Sequence, residues 1–262
     1  MNISAKTALI TGASTGIGSV FARRLAAEGA RLILVARSED KLDELARELR
    51  EDGTEVTVLA MDLSLPDSAK ELHLATEALG LTVDILVNNA GFGTHGQVLD
   101  ADADRFSEQI QLNCSTLVGT TTRYLPGMVE RGTGAVINIA STAAFQPIPH
   151  MAVYGATKAF VLSFTQALWA ETQGTGVKVL AVCPGATDTP FFEIAGEAAA
   201  AGSMRTPGQV VETTLSAIRA NKPSVVDGRL NSFIARVAVK LLPEKLVIAA
   251  AGRAVRPANQ AS

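Results

Sequence analysis

The sequence predicts an α/β protein built on one doubly wound parallel sheet of about seven strands, with helices on both faces. Two observations predict this fold class. Short apolar runs alternate with amphipathic stretches along the chain, and strands that alternate with helices pair in parallel through right-handed crossovers. The strand-like runs are apolar throughout, which indicates that both faces of the sheet are covered. We therefore expect residues 1–262 to form a single domain.

Each element is predicted from its local pattern. Runs rich in Val, Ile, Leu and Ala predict strands at residues 6–11, 31–36, 55–60, 84–87, 135–140, 177–182 and 224–226. Amphipathic stretches predict helices at residues 16–28, 39–51, 67–79, 102–130 and 151–173. We assign a core to residues 5–227, a substrate lid to residues 190–207 and a C-terminal helical extension to residues 228–262. Pro243 favours two short helices over one in that extension.

The composition narrows the class of protein. Hydrophobic residues make up 47% and charged residues 19%, which excludes a disordered chain. A formal charge of −3 gives no overall basic field for nucleic acid. Cys114 and Cys183 lack metal-ligand spacing, so we expect no metal site and a reduced, cytoplasmic setting. Residues 1–6 lack the features of a signal peptide, and no apolar run is long enough to predict a spanning helix.

The first predicted strand is followed by a glycine-rich turn, residues 12–18. Ligands of open α/β sheets bind outside the carboxyl ends of the strands. Gly12 would allow a tight turn, Gly16 the approach of a pyrophosphate to a helix N-terminus, and Gly18 close helix–strand packing. The spacing differs from the commoner G-x-G-x-x-G, but its place after the first strand favours a dinucleotide site over a flexible turn. Polar or small residues also follow the next five strands, at Arg37, Asp62, Asn88, Ser141 and Pro184.

Arg37 follows the second strand, where an NAD-selecting protein would carry Asp or Glu for the ribose hydroxyl. A guanidinium suits a 2′-phosphate by charge and by its fork of donors. We therefore expect NADP(H) as the cofactor. The alternative is a solvated Arg at a helix start, where Ser38 would cap the helix and Glu39 and Asp40 would be favoured by its dipole.

Tyr154 and Lys158 are four residues apart in a predicted helix, so they share one face. A free tyrosine has a pKa of about 10, and a nearby ammonium favours the phenolate. Ser141, at the tip of the fifth strand, can donate a hydrogen bond to a substrate oxygen. The alternative is a helix-surface pair, but a chance match is less frequent in a chain with only two tyrosines.

Together these motifs resemble the short-chain dehydrogenase/reductase family, in its compact single-domain branch with a Rossmann-type fold. The resemblance covers about residues 5–227. It is carried by Thr11-Gly12-x-x-x-Gly16-x-Gly18, Asn88-Asn89-Ala90-Gly91, Asn113, Ser141, Tyr154-x-x-x-Lys158 and Pro184-Gly185.

The resemblance implies a role for each matching residue. Tyr154 would be the acid/base, Lys158 would lower its pKa and bind the nicotinamide ribose, and Ser141 would hold the substrate oxygen. Asn113 would support a water-linked proton relay. Asp62 and Leu63 would contact the adenine, Asn89 the adjoining cofactor backbone, and Thr187 and Thr189 the carboxamide and phosphate side. The full set of expected cofactor-binding residues is Gly12, Ser14, Thr15, Gly16, Ile17, Gly18, Arg37, Asp62, Leu63, Asn89, Ala90, Gly91, Tyr154, Lys158, Pro184, Gly185, Thr187 and Thr189.

The expected function is NADPH-dependent reduction of an apolar ketone or 3-oxoacyl group. Small residues and Gly at 195–203 suit a mobile lid, and His150 is a candidate pocket residue, with a surface or capping His as the alternative. The alternative function is an NADP-binding regulatory or peripheral membrane-associated protein with little turnover. The candidate apolar walls are Phe92, Phe145, Phe191 and Phe192.

The C-terminal extension combines basic and apolar residues. Glu244 is its single acid, and this pattern fits either a membrane-surface helix or helices that pack on the body or at a subunit contact. We favour packing, in a homo-oligomer (dimer or tetramer), with no part in the chemical step. The extension resembles that of the 3-oxoacyl reductase and hydroxysteroid dehydrogenase branch. Its basic residues are Arg229, Arg236, Lys240, Lys245, Arg253 and Arg256.

Overall fold

The computed structural model describes residues 3–196 and 204–255. Its seven strands form one sheet in the order β3-β2-β1-β4-β5-β6-β7, and every neighbouring pair is parallel. The doubly wound α/β fold is thereby confirmed, and each predicted strand is present to within one residue at each end. The strands are Thr7–Thr11 (β1), Arg31–Ala36 (β2), Val56–Ala60 (β3), Ile85–Asn88 (β4), Gly134–Ile139 (β5), Val177–Cys183 (β6) and Ser224–Val226 (β7).

Helices connect successive strands and cover both faces of the sheet. A π-helical turn, Gln111–Thr116, joins α4 to α5, so the predicted stretch 102–130 is nearly continuous helix. The helices are Gly16–Ala26 (α1), Glu39–Glu51 (α2), Ser68–Ala78 (α3), Ala103–Ile110 (α4), Leu117–Glu130 (α5), Ala152–Glu171 (α6), Phe191–Ala195 (α7), Pro207–Arg219 (α8), Arg229–Phe233 (α9), Val239–Leu241 (α10) and Glu244–Ala254 (α11).

Two core layers explain why the strands are apolar throughout. Successive strand residues point to opposite faces of a sheet. In β1, Ile10 packs in the layer that contains Phe21 of α1 and Leu215 of α8. Its neighbour Leu9 packs in the opposite layer with Met128 of α5. Because both faces of such a strand are buried, its sequence does not alternate between apolar and polar residues.

A buried amide network ties the centre of the sheet to α5 and α6. The Asn88 amide nitrogen donates to Asn138 Oδ1 at 2.9 Å and to Thr121 Oγ1 at 3.0 Å. Asn138 Nδ2 donates to Thr165 Oγ1 at 2.9 Å, and Thr120 Oγ1 donates to Asn88 Oδ1 at 2.8 Å. Since buried polar groups are costly unless paired, this network fixes how the ends of β4 and β5 sit against the helices.

The C-terminal extension forms two helical pieces, as predicted. The first runs from α9 through a π-helical turn, Ile234–Ala238, to α10, and the second is α11. Pro243 lies between them, at the N-cap of α11. Across the described part of the chain, no helix is both long enough and apolar enough to cross a bilayer.

We predict that Asn138→Ala lowers the free energy of unfolding by about 2–3 kcal/mol, because it deletes two buried hydrogen bonds and leaves Asn88 Nδ2 with one partner. Urea unfolding measures the change. Thr122→Ala is the control, since Thr122 is exposed on α5 and bonds only within its own helix. A loss below about 0.5 kcal/mol in Asn138→Ala, typical of a surface substitution, would contradict the role given to the network.

Candidate functional site

The carboxyl ends of the strands border an open cleft with a volume of about 500 Å³. Segments that follow six of the strands contribute to its walls. The predicted site residues all line this cleft, except Gly18 and Asn113. The sheet thus gathers residues that are distant in sequence, as expected where strand order reverses between β1 and β4.

The glycine-rich turn is held in shape by the segment after β4. Gly12 and Gly16 have left-handed backbones, with φ of +64° and +56°. The Asn89 amide donates to the carbonyls of Thr11 and Gly12 at 3.0 and 3.1 Å. The expected contact of Asn89 with the cofactor backbone is therefore joined by a structural role that the sequence did not reveal.

Gly18 does not line the cleft, and its assignment as a cofactor-binding residue stays a prediction. A Cβ at Gly18 would lie only 2.1 Å from the carbonyl oxygen of Gly12, which means that Gly18 permits the close packing of α1 on the turn. Gly16 does face the cleft, where a Cβ would lie 3.0 Å from the Thr189 side chain. The gap between the turn and Thr189 is a narrow cradle beside the N-terminus of α1, suited to an anion.

Arg37 lies at the open end of the cleft, with 63% of its side chain exposed. Its guanidinium is 4.0 Å from a carboxylate oxygen of Asp62, and Asp62 accepts hydrogen bonds from the N–H and hydroxyl of Ser64. Burial acts to raise the pKa of Asp62, but the bonds from Ser64 and the Arg37 charge outweigh it and lower that pKa. Asp62 is thus the carboxylate that competes with a bound anion for the Arg37 guanidinium.

The start of α2 differs from the expectation in two ways. Ser38 is the N-cap residue, but its side chain makes no capping hydrogen bond. Lys41 also lines the cleft, one helical turn after Arg37. This second cation was not predicted from the sequence, although the spacing of four residues was a visible signal.

Ser141, Tyr154 and Lys158 meet at the inner end of the cleft. Tyr154 and Lys158 are both buried on α6, which excludes a helix-surface pair. Lys158 Nζ donates to the Ile139 carbonyl at 2.8 Å and lies 5.8 Å from the centroid of the Tyr154 ring. Ser141 begins a 3₁₀ turn, Thr142–Phe145, and its hydroxyl accepts from Ala143 N–H at 3.1 Å.

Burial shifts the two titratable groups in opposite directions. It raises the pKa of Tyr154 to about 12, although a hydrogen bond with the Ser141 side chain acts to lower it. It lowers the pKa of Lys158 to about 8. Burial of the phenol therefore outweighs the lowering of the Tyr154 pKa expected from Lys158, and the net shift in this structure is upward. At neutral pH Tyr154 holds its proton and Lys158 keeps its charge.

Asn113 lies in the π-helical turn, behind the cleft wall. Its Oδ1 accepts from Phe92 N–H at 3.2 Å, and its Nδ2 donates to the Phe92 carbonyl at 2.9 Å and to Thr157 Oγ1 at 3.1 Å. These bonds join the segment after β4 to α6 at the residue before Lys158. The water-linked relay implied by the resemblance stays a prediction.

The segment after β6 turns back on itself at the cleft. The hydroxyl of Thr187 donates to the Gly185 carbonyl, and that of Thr189 donates to the Thr187 carbonyl. Thr187 also pairs with Arg205, which forms an ion pair with the fully buried Asp227. This pairing fixes the two ends of the predicted lid. Its central residues, 197–203, lie outside the described part of the chain.

Aromatic residues form part of the cleft wall, but not all of those predicted. Phe92, Phe191 and Phe192 line it, and the Phe191 ring packs 5.4 Å from the Tyr154 ring. Phe145 instead packs against a buried cluster beneath the cleft. The candidate pocket residue His150 is not among the described residues that line the cleft, and its ring stacks on that of His95.

The C-terminal extension contributes a wall that the sequence analysis did not predict. Ala251, Ala254 and Val255, on and just after α11, line the cleft. Their spacing of three and four residues, which places them on one helix face, was the available signal. Gln146 also lines the cleft, and its buried Oε1 has no hydrogen-bond partner among the described residues.

Comparisons with known proteins agree with this architecture. The sequence profile of the family described as short chain dehydrogenase matches residues 6–199. A protein of Streptomyces coelicolor whose name proposes a ketoacyl reductase is 40% identical over 189 residues, which cover 71% of this chain and 72% of that protein.

Solved structures resemble the fold over most of the chain. The short-chain dehydrogenase from Sphingobium yanoikuyae in complex with NADPH has a TM-score of 0.81 and 34% identity, covering 90% of each chain. A 7β-hydroxysteroid dehydrogenase structure has a TM-score of 0.86 and 29% identity, covering 96% of this chain and 99% of that chain. Motifs, cleft and relatives agree, and the chain belongs to the short-chain dehydrogenase/reductase family, a family of oxidoreductases.

Proposed function

We propose that the protein is an NADPH-dependent reductase of apolar ketones or 3-oxoacyl groups. The observation that carries this proposal is the meeting of Ser141, Tyr154 and Lys158 at one end of a cleft that continues to the glycine-rich turn and Arg37. One end has groups that hold and move a proton, and the other has groups that bind an anionic nucleotide.

The cleft residues fit NADP(H). Gly12 and Gly16 leave room for a pyrophosphate at the start of α1, where a Cβ would close the gap to Thr189. Arg37 and Lys41 offer two cations for a 2′-phosphate at the open end of the cleft. Lys158 lies at the other end, where its ammonium would hold the nicotinamide ribose. The binding of NADPH by the Sphingobium yanoikuyae relative supports this choice.

In the proposed reaction, Tyr154 acts as the general acid. The chemistry supplied by bound NADPH is the transfer of a hydride to the carbonyl carbon. The Tyr154 phenol, protonated at neutral pH, donates its proton to the carbonyl oxygen, which becomes the alcohol. The Ser141 hydroxyl donates a hydrogen bond to the same oxygen and orients it. The Lys158 ammonium, held by the Ile139 carbonyl, stabilises the phenolate that remains.

The walls beside this end favour an apolar substrate. Ile148, Met151, Phe191, Phe192 and Val255 present carbon to the cleft, and an apolar wall with few polar groups selects by shape and area. The ketoacyl reductase named in Streptomyces coelicolor and the 7β-hydroxysteroid dehydrogenase, both named for carbonyl or alcohol chemistry, support the same class.

We also propose that the protein is a cytoplasmic homo-oligomer. Exposed apolar side chains on α5 and α6, at Val129 and Phe160, support a subunit contact on those helices.

Oxidation of NADPH in the presence of a panel of ketones and 3-oxoacyl thioesters tests the function. We expect turnover with apolar ketones and little with small polar ones, because the wall offers carbon contacts. NADPH binding without turnover of any member would instead favour the regulatory alternative.

We predict that Tyr154→Phe lowers kcat at least about a hundredfold, the contribution typical of a general acid, and leaves NADPH affinity within about threefold. Stopped-flow turnover and fluorescence titration measure the two quantities. Tyr124→Phe is the matched control, because Tyr124 is the other tyrosine and bonds to Thr76 away from the cleft. More than about a tenth of the wild-type kcat in Tyr154→Phe would refute the assignment.

The pH profile gives a second prediction. Since Lys158 loses its proton as pH rises through about 8, the charge that stabilises the Tyr154 phenolate is lost, and kcat/KM for reduction should fall above that pH. The rate of NADPH oxidation across pH measures the fall. In Lys158→Arg the charge persists, so the fall near this pH should disappear whatever the absolute rate. A wild-type profile that stays flat up to about pH 10 would contradict the role of Lys158.

We predict that Arg37→Ala lowers the NADPH/NADH ratio of kcat/KM by about tenfold or more, because two charge-assisted hydrogen bonds to the 2′-phosphate are lost. NADH, with no charge there, is spared. Arg47→Ala, which removes an exposed cation on α2 outside the cleft lining, should change the ratio less than about twofold. A ratio within about threefold of wild type in Arg37→Ala would leave Arg37 as a helix-start residue only.

A further inference from the structure

The C-terminal extension carries a group of large apolar side chains that point to solvent. We call this group the apolar tail face. Their exposed fractions range from 39% for Val237 to 79% for Leu241. Contiguous exposed apolar surface on a protein marks a place where it contacts something else. The face consists of Leu230, Phe233, Ile234, Val237, Leu241, Leu242 and Leu246.

The helical pattern shows that the face is ordered by the fold. Leu230, Ile234, Val237 and Leu241 recur at intervals of three and four residues along the helical piece from α9 to α10, which places them on one side. The buried side of the same piece carries the small residue Ala235, which is 2% exposed. A helix that served only to cover the body would direct its large apolar residues inward. Packing on the body, one of the two arrangements expected from the sequence beside a subunit contact, therefore does not explain these side chains.

Exposed cations alternate along the chain with the residues of the apolar tail face. Arg229, Arg236, Lys240 and Lys245 are exposed, and Arg236 also donates to the Ser224 carbonyl. Glu244 is the single acidic residue in the sequence after Asp227. The extension is thus locally basic in a chain whose formal charge is −3. A partner that covers this face needs both an apolar phase and negative charge.

We propose that the apolar tail face docks on an anionic lipid bilayer, with its leucines and Phe233 in the acyl boundary and its cations among the headgroups. A helix with one apolar side and a lysine- and arginine-rich margin binds a bilayer in this orientation. A second copy fits less well, because in a two-fold contact it presents the same locally basic patch and so brings no excess of negative charge. The exposed Val129 and Phe160 on α5 and α6 offer a subunit contact elsewhere.

Docking would also explain why the extension forms a wall of the cleft. The apolar tail face ends at Leu246 on α11, and Ala251 and Ala254 of the same helix line the cleft. One segment therefore joins the bilayer to the apolar side of the cleft. Apolar ketones dissolved in the bilayer would be concentrated beside the substrate end. This consequence rests on the proposed function, whereas the docking does not.

The test is co-sedimentation of the full chain with vesicles of phosphatidylcholine plus phosphatidylglycerol, against phosphatidylcholine alone. We expect binding to the anionic vesicles that weakens as salt is raised. Leu230→Ser/Leu241→Ser should weaken it at least about tenfold, because apolar insertion is lost. Lys240→Glu/Lys245→Glu should weaken it about tenfold or more on anionic vesicles and change little on neutral ones.

Matched controls lie outside the extension. Leu99→Ser removes a leucine that is 91% exposed, and Lys70→Glu reverses an exposed cation on α3. Both should bind vesicles as wild type does, and all variants should keep the wild-type melting temperature. Absence of binding to anionic vesicles at low salt would overturn the proposal. So would a Leu230→Ser/Leu241→Ser protein that loses oligomer mass in ultracentrifugation but binds vesicles normally, since a second copy would then cover the face.

Discussion

Parallel pairing of all seven strands is the constraint on which the site depends, because it brings every carboxyl end to one edge of the sheet. Pairing alone leaves the loops free, and side-chain hydrogen bonds fix them. The Thr11 hydroxyl donates to the Val87 carbonyl and accepts from the N–H groups of Asn89 and Ala90. The Asn89 amide completes the link to the glycine-rich turn. The cofactor end and the proton-transfer end therefore share one rigid edge.

Burial then sets the proton affinities at that edge. A buried charge is disfavoured, so burial raises the pKa of Tyr154 to about 12 and lowers that of Lys158 to about 8. From about 8 to 10.5 the unfolded chain holds a Lys158 proton that the folded chain lacks, and the free energy of unfolding rises with pH. From 10 to about 12 the folded chain keeps a Tyr154 proton that the unfolded chain loses, and this free energy falls. At neutral pH the fold holds the Tyr154 phenol near the buried ammonium of Lys158. Burying this charge costs free energy, and the hydrogen bond from Lys158 to the Ile139 carbonyl reduces that cost.

The sequence predicted what depends on local pattern and on strand-end position. Apolar runs located every strand, and the residues after those runs located the segments after six strands that border the cleft. It could not predict which way a side chain points within a tight segment. Phe145 and Phe191 are both apolar residues near the site, but the 3₁₀ turn directs the first into the core. Nor could it predict the pKa of Tyr154, because helical spacing places Lys158 nearby but says nothing about the burial of the phenol.

The C-terminal extension was the hardest part to predict, because it carries two apolar surfaces that face different ways. On α11, small side chains such as Ala251 and Ala254 face the cleft, where bulk would take space from a substrate. On the piece from α9 to α10, Ala235 faces the body and large side chains such as Leu241 face outward. In sequence both surfaces belong to one apolar and basic stretch. Only the fold separates an inner wall, which lines the cleft, from an outer face, whose large apolar side chains are exposed.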